Sequence, residues 1–203
     1  MALVKLNNRG VRSATAFGSI TGLGSMTFIK KQTASSSATI SFVDGTSDVV
    51  LDDTYKEYLF TFNNIHAESN SGFSFNFRDG GTDYDATKTT THFYGYHNES
   101  GSSSGLQYTT SYDLAQSTDF QRIGDNLTTD ADHNLCGYLH LFNPSSTTFV
   151  KHFIATLQFN SGTQSTQSFC AGYCNVTAAI DGVQFKMSSD DIDAGDICLY
   201  GIA

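Results

Sequence analysis

Apolar and polar residues alternate with a period of two along most of this chain, and the clearest case is Tyr138–Phe159, YLHLFNPSSTTFVKHFIATLQF. Before Pro144, Tyr138, His140 and Phe142 share one face, and Leu139 and Leu141 the other. After it, Phe149, Phe153, Leu157 and Phe159 share a face, with Val150 and Ile154 opposite. Period two predicts strands, and two such runs around a short Asn-Pro-Ser-Ser turn predict a hairpin. Proline fixes its own φ and keeps Asn143 out of the right-handed helical region. The second run is apolar on both sides for part of its length, which places it deep in a sheet stack rather than at a solvated edge.

The same reading extends outward. Ser25–Gln32 and Ser37–Val43 predict two short strands around a Thr-Ala-Ser-Ser turn. Tyr55–Ile65 puts Tyr58, Phe60 and Phe62 on one face, and Phe73, Phe75 and Phe77 repeat that alternation. Thr87–His97 sets Phe93, Gly95 and His97 against His92, Tyr94 and Tyr96. Leu106–Tyr112, Gln167–Val176, Val183–Met187 and Ile197–Ile202 complete about ten or eleven strands. Asp113–Ile123 reads equally as helical turn, loop or strand, and Asp125–His133 as an acidic loop. Turn signals every eight to twelve residues mark a single all-β domain, a β-sandwich or jelly-roll-like fold over residues 26–203. Residues 1–25 lack a period and are punctuated by glycine, so they predict an extended N-terminal arm, ordered only where it is tied down.

At 203 residues the chain is long enough for one good core. No stretch approaches the ~20 apolar residues of a spanning helix, so membrane insertion is not expected. MALVKLNNRG has no apolar secretory core. Charge is uneven. Residues 1–43 carry Lys5, Arg9, Arg12, Lys30 and Lys31 and no acid, whereas residues 44–203 carry six bases and all 20 acids, so +5 and −14 make up the net −9. These five cations are the candidate attachment residues. Such an arm either docks on an acidic partner or lies along the acidic body of its own or a sister chain. Nucleic acid is not expected, because five charges over 31 residues make a poor phosphate patch.

Candidate chemistry is sparse. Gly101–Gly105 fits G-x-S-x-G on paper, but a nucleophile elbow needs a strand before Ser103 and a helix after it. His133, Cys136 and His140 are metal-ligand types without zinc spacing, and His92 and His97 face opposite sides. Cys170 and Cys174 would face one side roughly 13 Å apart, too far to bridge, and buried thiols are expected. Three acidic clusters (Asp79, Asp83 and Asp85; Asp125, Asp130 and Asp132; Asp190, Asp191, Asp193 and Asp196) hold calcium-type oxygens but no EF-hand pattern. Solvated turns in which aspartate hydrogen-bonds its own backbone explain them better. No metal, cofactor or catalytic residue is therefore assigned. Glycosylation triplets begin at Asn98, Asn126 and Asn175. Tyr84, Tyr94, Tyr96 and Tyr108 are placed to stack on sugars or to pair across strands. A polysaccharide hydrolase would need paired carboxylates, mostly aspartates, since glutamate occurs only at Glu57, Glu68 and Glu99.

The opening MALVKLNNRG resembles the leader of fibre-like and other virion proteins of marine bacteriophages, where it looks like a short attachment segment. QTASSSATISF (32–42), YKEYLFTFNNIH (55–66), YLHLFNPSSTTFVKHFIA (138–155) and FKMSSDDIDAGDICLYGI (185–202) resemble a recurrent module of such phages. The resemblance spans most of the chain and implies no catalytic residues. It implies a non-enzymatic virion structural protein assembled in the host cytoplasm, most simply a tail-associated, fibre-like host-contact module. A capsid decoration (cement) protein on the major capsid protein lattice is the alternative, and a carbohydrate-binding, lectin-like module a further one. Expected partners are other virion proteins, sister copies forming a homo-oligomer (a trimer if tail-attached) and a host surface glycan.

Overall fold

The computed structural model describes residues 26–203 throughout, together with the backbone of Ala16–Phe17 (β1) and Ile20–Thr21 (β2), which pair antiparallel. Lys5, Arg9 and Arg12 and most of the expected arm lie outside the described residues. The remainder is all-β in two antiparallel sheets. The larger contains Met26–Ser37 (β3), Glu57–Ala67 (β5), Lys88–Asn98 (β7), Ser104–Tyr108 (β8), Leu135–Phe142 (β10), Lys151–Ser161 (β11), Gln164–Cys174 (β12) and Ile192–Ile202 (β14). The smaller contains Ile40–Val43 (β4), Ser71–Arg78 (β6), Gln121–Leu127 (β9) and Gly182–Met187 (β13). The strands run β3-β14-β5-β10-β11-β12-β7-β8 and β4-β13-β6-β9.

Set β7, β8, β11 and β12 aside, and eight strands remain, four per sheet, ordered β3-β14-β5-β10 over β4-β13-β6-β9. That is the order of an eight-stranded jelly roll. The other four strands arrive as two insertions. One is the β7–β8 hairpin between β6 and β9, and the other is the β11–β12 hairpin between β10 and β13. They meet where β12 pairs with β7, and together they extend the larger sheet into an annex.

The β10–β11 hairpin stands at the middle of the larger sheet, as its alternation predicts. Leu139, Leu141, Phe153, Leu157 and Phe159 point inward and are buried. The turn is longer than expected, because β11 begins only at Lys151, and Phe149 lies in the loop, exposed. Asn143 takes a left-handed φ of 47°, accessible to asparagine and compatible with the following proline. Its N–H donates to the Lys56 carbonyl, and its own carbonyl accepts the Ser146 N–H. Gly137 has no substitute, since a Cβ there would lie 2.3 Å from the Thr156 carbonyl oxygen.

Several boundaries differ from the sequence reading. Thr33–Ser36 is no turn but the end of one twelve-residue strand, because pairing with β14 carries β3 through to Ser37. The supposed acidic loop begins late, since Asp125–Leu127 belongs to β9. Asp193 and Asp196 lie within β14. The expected strand Leu106–Tyr112 ends at Tyr108 and gives way to a 3-10 turn at Thr110–Tyr112.

Phenylalanine fills the jelly roll. Phe185 sits among Phe42, Phe60, Phe62 and Phe73, with ring centroids 5.2–6.3 Å away. Phe153 bridges to Phe75 and Phe77 at 5.3 and 5.4 Å. Mostly edge-to-face pairs of this kind add to the area term.

Candidate recognition end of the sandwich

One end of the sandwich gathers polar side chains from loops far apart in sequence. There β5 runs out at Ala67, just past His66, β10 begins after His133 and Asn134, and β14 begins at Ile192, next to Asp193. Asn64, His66, Asp132, His133, Asn134 and Asp193 line an open groove of about 420 Å³. His66 Nδ1 lies 3.2 Å from Asp193 Oδ2, and its Nε2 lies 3.3 Å from the Asp130 carbonyl oxygen. His133 Nδ1 pairs with Asp130 at 3.6 Å and with the Thr128 hydroxyl. Two acidic stretches that look separate in the sequence thus meet through His66, which the sequence reading passed over.

Beside the β11–β12 turn lies a tighter cleft of about 50 Å³, walled by His92, Tyr94 and Tyr112 and closed by Asp125, Asn126 and Gln164. Its centre is Asp125. The Tyr112 hydroxyl donates to one carboxylate oxygen, and Arg122 Nη1 donates to the other at 2.9 Å. The guanidinium also lies 5.0 Å above the Tyr112 ring. Burial pushes the Tyr112 hydroxyl above its ordinary pKa, and Asp125 adds to the shift. Burial holds His92 below its ordinary value, against the opposing pull of the Ile123 carbonyl, Asp113 and Asp125. His92 is 2% exposed, and its Nδ1 has no hydrogen-bond partner among the described residues. A buried imidazole nitrogen left open in a polar cleft is a place for a water or a ligand hydroxyl.

Of the four tyrosines singled out by sequence, Tyr94 lines this cleft, with Tyr96 next to it at 6.1 Å between ring centroids. Tyr84 lies beside Gly182, and Tyr108 lies on the outside of the larger sheet. Asp125, Tyr112, His92 and His66 were not marked as one site by any local spacing. Only a tyrosine and an aspartate flanking a strand start would have hinted at it.

The other candidates disperse. Ser103 lies in the β7–β8 loop with its N–H donating to Asn98 Oδ1, and a strand follows it. His140 is on the outer side of β10, 2.9 Å from Glu57 Oε2. Cys136 Sγ accepts the Asn64 N–H. Cys170, Cys174 and Cys198 are buried, and burial raises the Cys174 thiol to about 12. Among the described residues, no group of three or more His, Cys, Asp or Glu is placed to hold a metal ion. Lys30 and Lys31 belong to β3, in the body of the sandwich rather than in an arm. Lys31 Nζ holds Asp196 at 3.1 Å, so this cation rests on the chain's own acidic body.

Compared with family models, curated proteins and solved structures, the chain finds no match.

Proposed function

We propose that the chain is a non-enzymatic virion structural protein, a tail-associated host-contact module that recognises a cell-surface saccharide at the polar end of its jelly roll. One observation carries the saccharide part: this end brings Asn, Asp and His side chains around a groove of monosaccharide-accommodating size, beside a tyrosine-walled cleft. Sugars present hydroxyls that both donate and accept, and apolar ring faces. Carboxylates and amides match the first, and aromatic rings the second. The virion part rests on the resemblance of the leader and module. Jelly rolls are also an architecture of both capsid and lectin domains, an argument by analogy. Lys5, Arg9 and Arg12 are assigned to attachment.

A glycan array probed with the full chain is expected to light up for a restricted set of bacterial surface sugars. Asp125→Asn and His66→Ala should weaken that signal at least tenfold. Silence across the array sinks the saccharide reading. Gold-labelled antibody on intact particles should mark the tail. Labelling spread over the head would instead support the capsid decoration reading. Charge reversal at Lys5, Arg9 and Arg12 should reduce incorporation into particles.

A further inference from the structure

The side of the larger sheet that faces away from the smaller one is unusual. Register carries rows of residues straight across it. One row runs Phe28, Tyr200, Leu59, His140, Ile154 and Ala171. The next runs Thr61, Tyr138, Thr156, Phe169, Phe93 and Tyr108. A third row, on the far side of the first, includes Met26, Ile202, Phe142 and Tyr173. Among the described residues, every exposed large hydrophobic side chain except Phe149 stands on this outer side, with Ile154 47% exposed and Tyr138 41% exposed. Phe93 and Phe169 stack at 5.0 Å, and Phe28 and Tyr200 meet edge to face at 5.6 Å. Ordered aromatic pairs that no described residue covers are the signature of an interaction surface rather than of scattered surface apolars.

We infer that this side of the larger sheet packs against a second copy of the same chain. Size supports it. Eight strands about 4.8 Å apart span roughly 34 Å, and three rows add roughly 17 Å in the other direction. The projected face is roughly 600 Å², and its rougher accessible surface is of the order of the ~800 Å² per partner buried in a standard interface. Charge supports it too. The chain carries −9 overall, so copies repel one another over much of their surface. In these rows formal charges are few: Lys31 pairs with Asp196, and Glu57 lies against its neighbour His140. A strongly charged partner finds no complement here, whereas an identical face supplies aromatic and β-branched rows to meet its own. Two sheets stacked this way pack about 10 Å apart, as in a sandwich core. The inference stands apart from the saccharide reading, whose residues lie at the end of the sandwich.

The test is the molar mass of the full chain by light scattering during gel filtration at micromolar concentration. The expected mass is twice 22.0 kDa or a larger whole multiple of it. Tyr138→Lys and Ile154→Lys should each return it to 22.0 kDa with an unchanged circular dichroism spectrum. Phe149→Lys, exposed but off this side, should keep the multiple. Should a lysine variant misfold, Tyr138→Ser and Ile154→Ser should raise the concentration of half-association at least tenfold. A full chain that remains at 22.0 kDa overturns the inference, whether its own N-terminal residues or another virion protein covers the rows. So does an assembly that the Tyr138 and Ile154 variants leave intact. Glycan binding that persists in a monomeric variant leaves the saccharide reading standing on its own.

Discussion

The two halves of the larger sheet are buried by different chemistry. Beneath β3, β14, β5 and β10 the interior is phenylalanine against phenylalanine, with Phe42, Phe60, Phe62, Phe73 and Phe185 within 1% of full burial. Beneath β11, β12 and β7 the buried residues include Lys88, Lys151, Thr90, His92, Ser168 and Gln121. There β9 and the segment before it cover the sheet, and most buried polar groups find a partner, the open His92 Nδ1 excepted. Thr90 Oγ1 donates to Gln121 Oε1 at 2.6 Å and accepts the Leu114 N–H. The Ser168 hydroxyl donates to the Ile123 carbonyl at 2.6 Å. Lys88 Nζ donates to the Ala86 and Asp119 carbonyls at 3.0 and 2.7 Å. Lys151 Nζ donates to the Val176 carbonyl at 2.8 Å. Register sets Lys151, Cys174 and Lys88 side by side across three strands.

The difference is one of tolerance. An aromatic core is non-directional, and any shape that fills it is favourable. A polar interior is stable only while every donor and acceptor is matched, and it fixes the covering segment in one position. The jelly roll thus supplies bulk stability, and the annex supplies the precise placement of β9 that brings Asp125 to the cleft.

The largest test of this contrast is Phe185→Ala. Removing the ring at the centre of the aromatic cluster should cost about 3–5 kcal/mol, read from urea denaturation, and should loosen both sheets. A loss below about 1 kcal/mol would show that the rings are not one cooperative unit.

The second test concerns Lys88. Burial lowers its pKa from 10.5 to about 8. The unfolded chain holds this proton up to about 10.5, so between pH 8 and 10.5 unfolding takes up a proton. The Lys88 contribution therefore becomes more favourable as pH rises through that window. It is most unfavourable below the folded pKa. Wild type should gain about 3 kcal/mol on Lys88→Met across the window, in denaturant titrations at successive pH values. Equal pH profiles would mean that the ammonium is solvated.

Thr90→Val should come next. It keeps the shape but strands Gln121 Oε1 and the Leu114 N–H, at a cost of about 1–3 kcal/mol. Hydrogen exchange should quicken over 113–121 and leave β5 and β14 unchanged. Acceleration throughout would dissolve the distinction between the two regions. The smallest effect on stability belongs to Asp125→Asn. Its partly exposed pair with Arg122 contributes about 0.2–1 kcal/mol, so the variant should melt near wild type while losing saccharide binding.

Much of the roll was legible because burial on one side of a strand writes itself into alternate residues. Tyr58, Phe60 and Phe62 announce β5, and Phe73, Phe75 and Phe77 announce β6, without reference to the rest of the chain. The annex was harder to read. Lys88 and Lys151 look like solvent-facing residues in any local window, and their burial depends on carbonyls offered by distant loops. Thr33–Ser36 reads as a turn by composition and becomes strand only because β14 offers a partner. The recognition end was least legible. Asp193 lies 127 residues from His66, and nothing near either residue specifies the other.

What the amino-acid order determined alone was most of the strands, β9 excepted, with their inward sides and the central hairpin, since a two-residue period needs only neighbouring residues to be expressed. Which strands would pair, how two separate hairpins would join through β12 and β7, and which loops would converge on Asp125 and His66 were decided by packing. Those choices depend on residues far apart along the chain competing for the same buried surface and the same hydrogen-bonding edges, and no local pattern carries that information.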